Sequence, residues 1–285
     1  MDKIKKQYND TLFRTLFGDE SAFLDLYNAL ADDRFPEETI VTPCQTNSLL
    51  ARYNDLAFCI GPQLVVFCEH QSTWSVNLPL RLLRYVTDIL YSNIFDIDKL
   101  YGSALVKIPT PKIFMLYNGE PQIKSQVLKL SNAFIAEDSE PALELTAKVV
   151  NINYGSGEPA LNRCTSLNDY SFLIAEIRAR LRNGMTRDEA IISAIDFCIE
   201  KGVLADFLRK NYQEVIKMLN YEYDAEAERR VLMQEGIEMG REMGREEGRE
   251  EGREMGMDAL AKLLREGLPL DVALEKARMG LSGKQ

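Results

Sequence analysis

Apolar residues recur at helical spacing from residue 8 to residue 30, with Phe13, Leu16, Phe17, Leu24, Tyr27 and Leu30 on one side. Gly18 interrupts this pattern and predicts either a break or two short helices. Pro36 and Pro43 mark a loop. Between residues 47 and 71 the period changes. Leu49-Leu50-Ala51, Asp55 to Ile60 and Leu64 to Glu69 read as strands, and Gly61-Pro62-Gln63 joins the last two as a hairpin. A helix is expected from about Val76 to Ile94, with Leu80, Leu83, Val86, Ile89 and Leu90 on its apolar side.

Ile113 to Tyr117 reads as a strand closed by Asn118-Gly119, and Leu145 to Ile152 as another. From Leu167 to Leu219 the pattern is helical. One helix ends near Gly184, Thr186-Arg187-Asp188-Glu189 is a capping box for the next, and Gly202 ends that one. The order helix, strands, helix, strand, helices predicts an α/β core with a helical C-terminal extension. The expected divisions are a core over 1–158, a helical appendage over 159–222, a Gly/Glu/Arg repeat over 223–257 and a short helical module over 258–285.

In the repeat, Gly236, Gly240, Gly244, Gly248, Gly252 and Gly256 stand every fourth residue. Each glycine costs a helix ~0.8–1 kcal/mol relative to alanine, while i,i+3 pairs such as Glu238–Arg241 return only ~0.2–0.5 kcal/mol. A row of glycines lets a second helix approach closely, so self-association into a homo-oligomer is one reading. A solvated linker is the other.

Composition narrows the possibilities. The 285 residues carry a formal net charge of −10. Residues 221–285 hold 11 Lys+Arg against 16 Asp+Glu, which divides the charge evenly between tail and body. Neither part is a basic module, so any DNA contact needs a local patch and a bridging cation. Five scattered cysteines without a CxxC pair, and His70 as the one histidine, argue against a structural zinc site or a disulfide framework. Cys59, Cys68 and Cys198 lie in apolar runs and read as buried thiols, which fits a cytoplasmic protein. No apolar run is long enough for a membrane span, and none follows the basic start as a signal peptide requires.

The candidate chemistry sits on the hairpin. Asp55 and Glu69 are acidic residues on neighbouring predicted strands, and Gln71 shares a strand face with Glu69. Two carboxylates held on rigid strands form a site for a hard cation such as Mg²⁺, which polarises a phosphate and activates a bound water. Spacing alone leaves a second reading open, in which Asp55 enters a strand and Glu69 and Gln71 are solvated strand ends. His70 alternates to the other face and reads as structural, and Trp74 as a packing residue.

The surrounding motifs resemble a known family. Asp10-Thr11-Leu12-Phe13-Arg14-Thr15-Leu16-Phe17 is similar to an opening D-x-x-F-[KR]-x-[LI]-F motif. Asn54-Asp55-Leu56, Phe67-Cys68-Glu69-His70-Gln71, Arg81 to Tyr85 and Pro111 to Glu120 follow in order. Together they resemble the Rpn recombination-promoting nucleases and putative transposases, a bacterial branch of the PD-(D/E)xK superfamily. The resemblance covers residues 8–120 well and the tail loosely.

It implies a restriction-endonuclease-like mixed sheet flanked by helices, and a DNA endonuclease dependent on Mg²⁺ or Mn²⁺. Asp55 and Glu69 would be the metal ligands, with Gln71 in the place of the superfamily's catalytic lysine. Asp10 would be an accessory acid or, alternatively, a helix N-terminal charge. Arg14, Arg81 and Tyr85 would face the scissile phosphate or brace the carboxylates, unless they are ordinary helix residues. Two rival functions remain: an oligomeric interaction protein with a degenerate nuclease core, and a hydrolase of another phosphodiester.

Overall fold

A computed structural model describes residues 11–31, 34–44, 56–70, 76–93, 97–120, 123–267, 269–272, 274 and 276. The chain forms two compact units, residues 1–223 and 224–285.

The first unit is an α/β structure built on a mixed sheet. Among the described residues the strands are β1 (Val41–Pro43), β2 (Leu56–Ile60), β3 (Gln63–His70), β4 (Thr110–Tyr117), β5 (Gln126–Lys129) and β6 (Thr146–Asn151), in the order β1-β2-β3-β4-β6-β5. β2 and β3 form the expected hairpin, paired antiparallel from Leu56↔Phe67 to Ile60↔Gln63. The turn is two residues long, so Gln63 belongs to the strand. Gly61 takes a φ of 51°, a left-handed value open to glycine at the first turn position. β3, β4 and β6 run parallel to one another, β2 and β5 run against them, and β1 pairs antiparallel with β2.

The helices flank the sheet on both faces. α1 (Leu12–Phe17) and α2 (Glu20–Leu30) are the two short helices that Gly18 separates. A Cβ on Gly18 would lie 2.4 Å from the Arg14 carbonyl oxygen, so only glycine fits this close turn. Asp19 then caps α2, accepting from the backbone N–H groups of Ser21 and Ala22. On the other face lies α3 (Leu78–Asn93). Its buried stripe is Leu78, Leu82, Tyr85, Val86 and Ile89, whereas Leu80 is exposed and Leu83 only half-buried. This corrects the expected stripe, because leucines at 78, 80, 82 and 83 supply two overlapping faces and the sheet selects one.

The later helices are α4 (Pro159–Arg163), α5 (Thr165–Arg182), α6 (Arg187–Lys201), α7 (Ala205–Lys210) and α8 (Tyr212–Arg265). Thr186 and Glu189 close the capping box at α6, and Gly202 ends that helix with a φ of 77°.

Strand alternation divides the core in two. Leu56, Phe58, Ile60, Val65, Phe114, Leu116 and Val150 face α1, α2 and the helices after residue 159. Ala57, Leu64, Val66, Met115, Tyr117 and Val149 face α3. Phe13 and Phe17 pack on the ring of Tyr170, and Phe23 packs tilted against Phe58 with ring centroids 4.1 Å apart. One core therefore runs across residue 158, joining the helices of 159–222 to the sheet.

Two short edge strands escape the sequence pattern. β1 ends on Pro43, which was expected in a loop, and β5 buries only Leu128. The expected strand at Leu49-Leu50-Ala51 lies outside the described residues. Cys198 is buried as expected, but Cys59 is only half-buried, because β2 lies next to the short edge strand β1. Among the described residues no helix is long and apolar enough to cross a membrane.

Candidate functional site at the carboxyl edge of the sheet

β3 is an eight-residue strand in the middle of the sheet, and Glu69 is its penultimate residue. In the parallel ladder with β4, Glu69 pairs with Leu116 and His70 with Tyr117. Tyr117 in turn pairs with Asn151 on β6. The carboxyl ends of three parallel strands therefore lie side by side. In open α/β sheets this is the edge at which ligands gather.

Just beyond that line the sheet carries a polar network. Asn118, Asn151 and Asn153 are buried, Asn118 to 1% exposure. Arg178 of α5 reaches into the network. It donates to the Asn118 side-chain oxygen at 3.2 Å, to the Asn153 side-chain oxygen at 3.3 Å and to the Asn118 backbone carbonyl. Asn153 donates to Asn151 Oδ1 at 2.8 Å and to the Gly119 carbonyl at 3.2 Å, and Asn151 donates to the Ile123 carbonyl at 2.7 Å. The Asn118 amide nitrogen has no hydrogen-bond partner among the described residues.

Through these contacts the guanidinium acts as a brace. It fixes the ends of β4 and β6 against α5 without adding an acid or base. The Tyr117 hydroxyl beside it is raised above the ordinary tyrosine range, first by burial. Arg178 pulls it back and Glu120 pushes it further up.

The residues singled out by sequence fare differently. Asp10, Asp55 and Gln71 lie outside the described residues, as does Trp74. Glu69 is placed by the pairing of its backbone with Leu116. Tyr85 is 3% exposed on α3 within the second core, a position suited to bracing rather than to meeting a phosphate. Arg81, one turn earlier, is exposed, and Arg14 on α1 is half-buried. α1 and α3 pack on opposite faces of the sheet, so the structure does not bring Arg14 together with Arg81 and Tyr85 on one face. Among the described residues no three His, Cys, Asp or Glu side chains gather into a group that could hold a metal ion.

Sequence reasoning missed the Arg178 network. Asn151 and Asn153 are two residues apart at a strand end, which is a readable signal. Arg178 lies 60 residues from Asn118, and nothing local announces their contact. Compared with protein-family models, with curated proteins and with solved structures, the chain gives no match.

Proposed function

We propose that the chain is a metal-dependent DNA endonuclease with a PD-(D/E)xK, restriction-endonuclease-like core of the Rpn type. The backbone position of Glu69 is the observation that supports this most. It stands at the end of a central strand entered through a tight hairpin, and α3 then carries the chain over to the parallel strand β4. In this reading Asp55 and Glu69 hold Mg²⁺ or Mn²⁺, which supplies charge stabilisation for the phosphate and acidifies a water. Gln71 keeps a donor and an acceptor to orient that water but lacks a lysine's charge. Asp10 assists as an accessory acid, the exposed Arg81 steadies the DNA backbone without Arg14, which lies on the other face of the sheet, and Tyr85 braces the sheet from within the core. The Arg178 network holds the neighbouring strand ends still, which a site of fixed geometry needs.

The test is single-turnover cleavage of plasmid DNA in Mg²⁺ and in Mn²⁺. Asp55→Ala and Glu69→Ala are expected to abolish cleavage with the fold retained by circular dichroism. Gln71→Leu is expected to slow it by on the order of 10²-fold, the scale of losing one preorganised donor. Wild-type rates in Asp55→Ala would refute the site.

A second reading, an oligomeric interaction protein with a degenerate core, is favoured by one observation. A Cβ added at Gly240, Gly244, Gly248 or Gly252 would meet nothing within 4 Å, so the glycine row is open to a second helix. Light scattering of the full chain against a chain ending at Tyr223 separates the two roles of the tail. A smaller particle is expected from the truncated chain, and equal subunit numbers would leave the tail as a linker. The cut belongs after Tyr223 because Leu219 and Glu222 are buried in the first unit.

A further inference from the structure

We propose that Cys44 and Cys59 are an oxidisable dithiol site, closing to a reversible disulfide when the chain meets a small-molecule disulfide of the glutathione class. The proposal is independent of the nuclease reading. The two thiol sulfurs lie 3.4 Å apart, and both side chains are half-buried.

The edge of the sheet creates this proximity. Cys59 on β2 pairs with Thr42 on β1. Cys44 follows β1 directly, and its backbone N–H donates to the Ala57 carbonyl at 2.8 Å. The antiparallel ladder thus holds the two cysteines diagonally across the strand pair, with both side chains against the second core. A disulfide needs the sulfurs at about 2.05 Å, so closing the bond draws the two side chains and the strand ends that carry them closer together. Folding has already closed the chain between residues 44 and 59, so the native state should form the bond more readily than the unfolded chain.

Burial, and then the Cys59 thiol beside it, push the Cys44 thiol up to about 12, so the exchange is slow at neutral pH. Written with Cys59 as the first to lose its proton, its thiolate attacks one sulfur of the incoming disulfide RSSR. That S–S bond breaks, and RS⁻ leaves with the electron pair and takes a proton. Cys44 then gives up its proton and attacks the Cys59 sulfur, expelling the second RS⁻, which is protonated in turn. The two cysteines lose two protons and two electrons, and two RSH carry them away.

Cys164 and Cys198 are buried away from this edge, and burial raises both thiols, so they are slow to react in the folded chain. Disulfides that form in reducing compartments are usually transient ones of this exchanging kind.

The experiment equilibrates the full chain with defined ratios of oxidised to reduced glutathione, followed by acid quench and tandem mass spectrometry. The expected result is a Cys44–Cys59 cross-link that appears first and reverses on reduction. Cys44→Ser should stop the reaction at a stable glutathione adduct on Cys59. A dominant bond to Cys68, no Cys44–Cys59 bond at any ratio, or an equal yield from the urea-unfolded chain would overturn the proposal.

Discussion

α8 is one continuous helix whose two stretches are specified by different physics. Up to Tyr223 it is held by burial. Val215, Leu219 and Glu222 stand at i, i+4 and i+7 and are sealed into the first unit. The Glu222 carboxylate accepts from the backbone N–H of Leu12 at 2.9 Å, tying together positions 210 residues apart. Beyond Asp224 nothing comparable is visible among the described side chains. Ile237, Met255, Met257 and Leu264 are exposed, and a Cβ at Gly240, Gly244, Gly248 or Gly252 would meet open space. That stretch relies on local hydrogen bonds in a sequence with poor intrinsic helicity. The same secondary structure thus has two different vulnerabilities. Tertiary substitutions should destroy the first stretch and leave the second unmoved, and propensity changes should do the reverse.

The sharpest break should come from Phe13→Ala. Its fully buried ring touches Phe17 and Tyr170, and its loss should cost the first unit about 3–5 kcal/mol. Urea unfolding followed by near-ultraviolet circular dichroism measures this, and a loss under about 1 kcal/mol would show that the first core is not what holds the unit. Next in size is Glu222→Ala, which leaves the buried Leu12 N–H without its acceptor. About 1–3 kcal/mol is expected, with much of it restored in Glu222→Gln, which keeps an acceptor oxygen. Equal losses in both variants would mean that charge, and not the hydrogen bond, matters there.

Thr186→Ala removes the capping box of α6 and should cost about 1 kcal/mol. It should also flatten part of the acid dependence. Hydrogen bonds from Thr186 hold the Glu189 carboxyl below its ordinary range. A depressed carboxyl contributes stability above its unfolded pKa and loses it as pH falls through the folded one. The variant's stability should therefore change less than the wild type's across that acidic window, as paired melts at several pH values would reveal. The smallest effect is in the tail. Gly244→Ala and Gly248→Ala should each add ~0.8–1 kcal/mol of helix propensity. Far-ultraviolet circular dichroism should gain helical signal on warming while the first unit's melting temperature stays put. A shift of that melting temperature would erase the contrast between the two stretches.

Legibility in the sequence follows the same division between local and distant forces. The Gly61-Pro62 hairpin, the break at Gly18 and the Thr186 capping box are written in adjacent residues and appear as read. β5 is invisible because Gln126-Val127-Leu128-Lys129 buries one side chain and shows no alternation. Leu82 and Tyr85 lose out in the sequence to Leu80 and Leu83, since a leucine-rich stretch fits several helical faces and only the sheet decides between them. The candidate site is legible at Glu69 as a strand-end acid, while Arg178 enters through a contact that no window of sequence contains.

The order of the strands also bears on how the protein avoids clumping. Its longest strands, β3 and β4 with eight residues each, pair with each other in the interior of the sheet. The edges are left to a three-residue strand that ends on Pro43 and a four-residue strand that ends on Lys129. A proline, a lysine and so short a run of free backbone give a second chain little to zip onto. Among the described residues the sheet is thus blunted at both sides, so these strand edges offer a poor seed for fibrils.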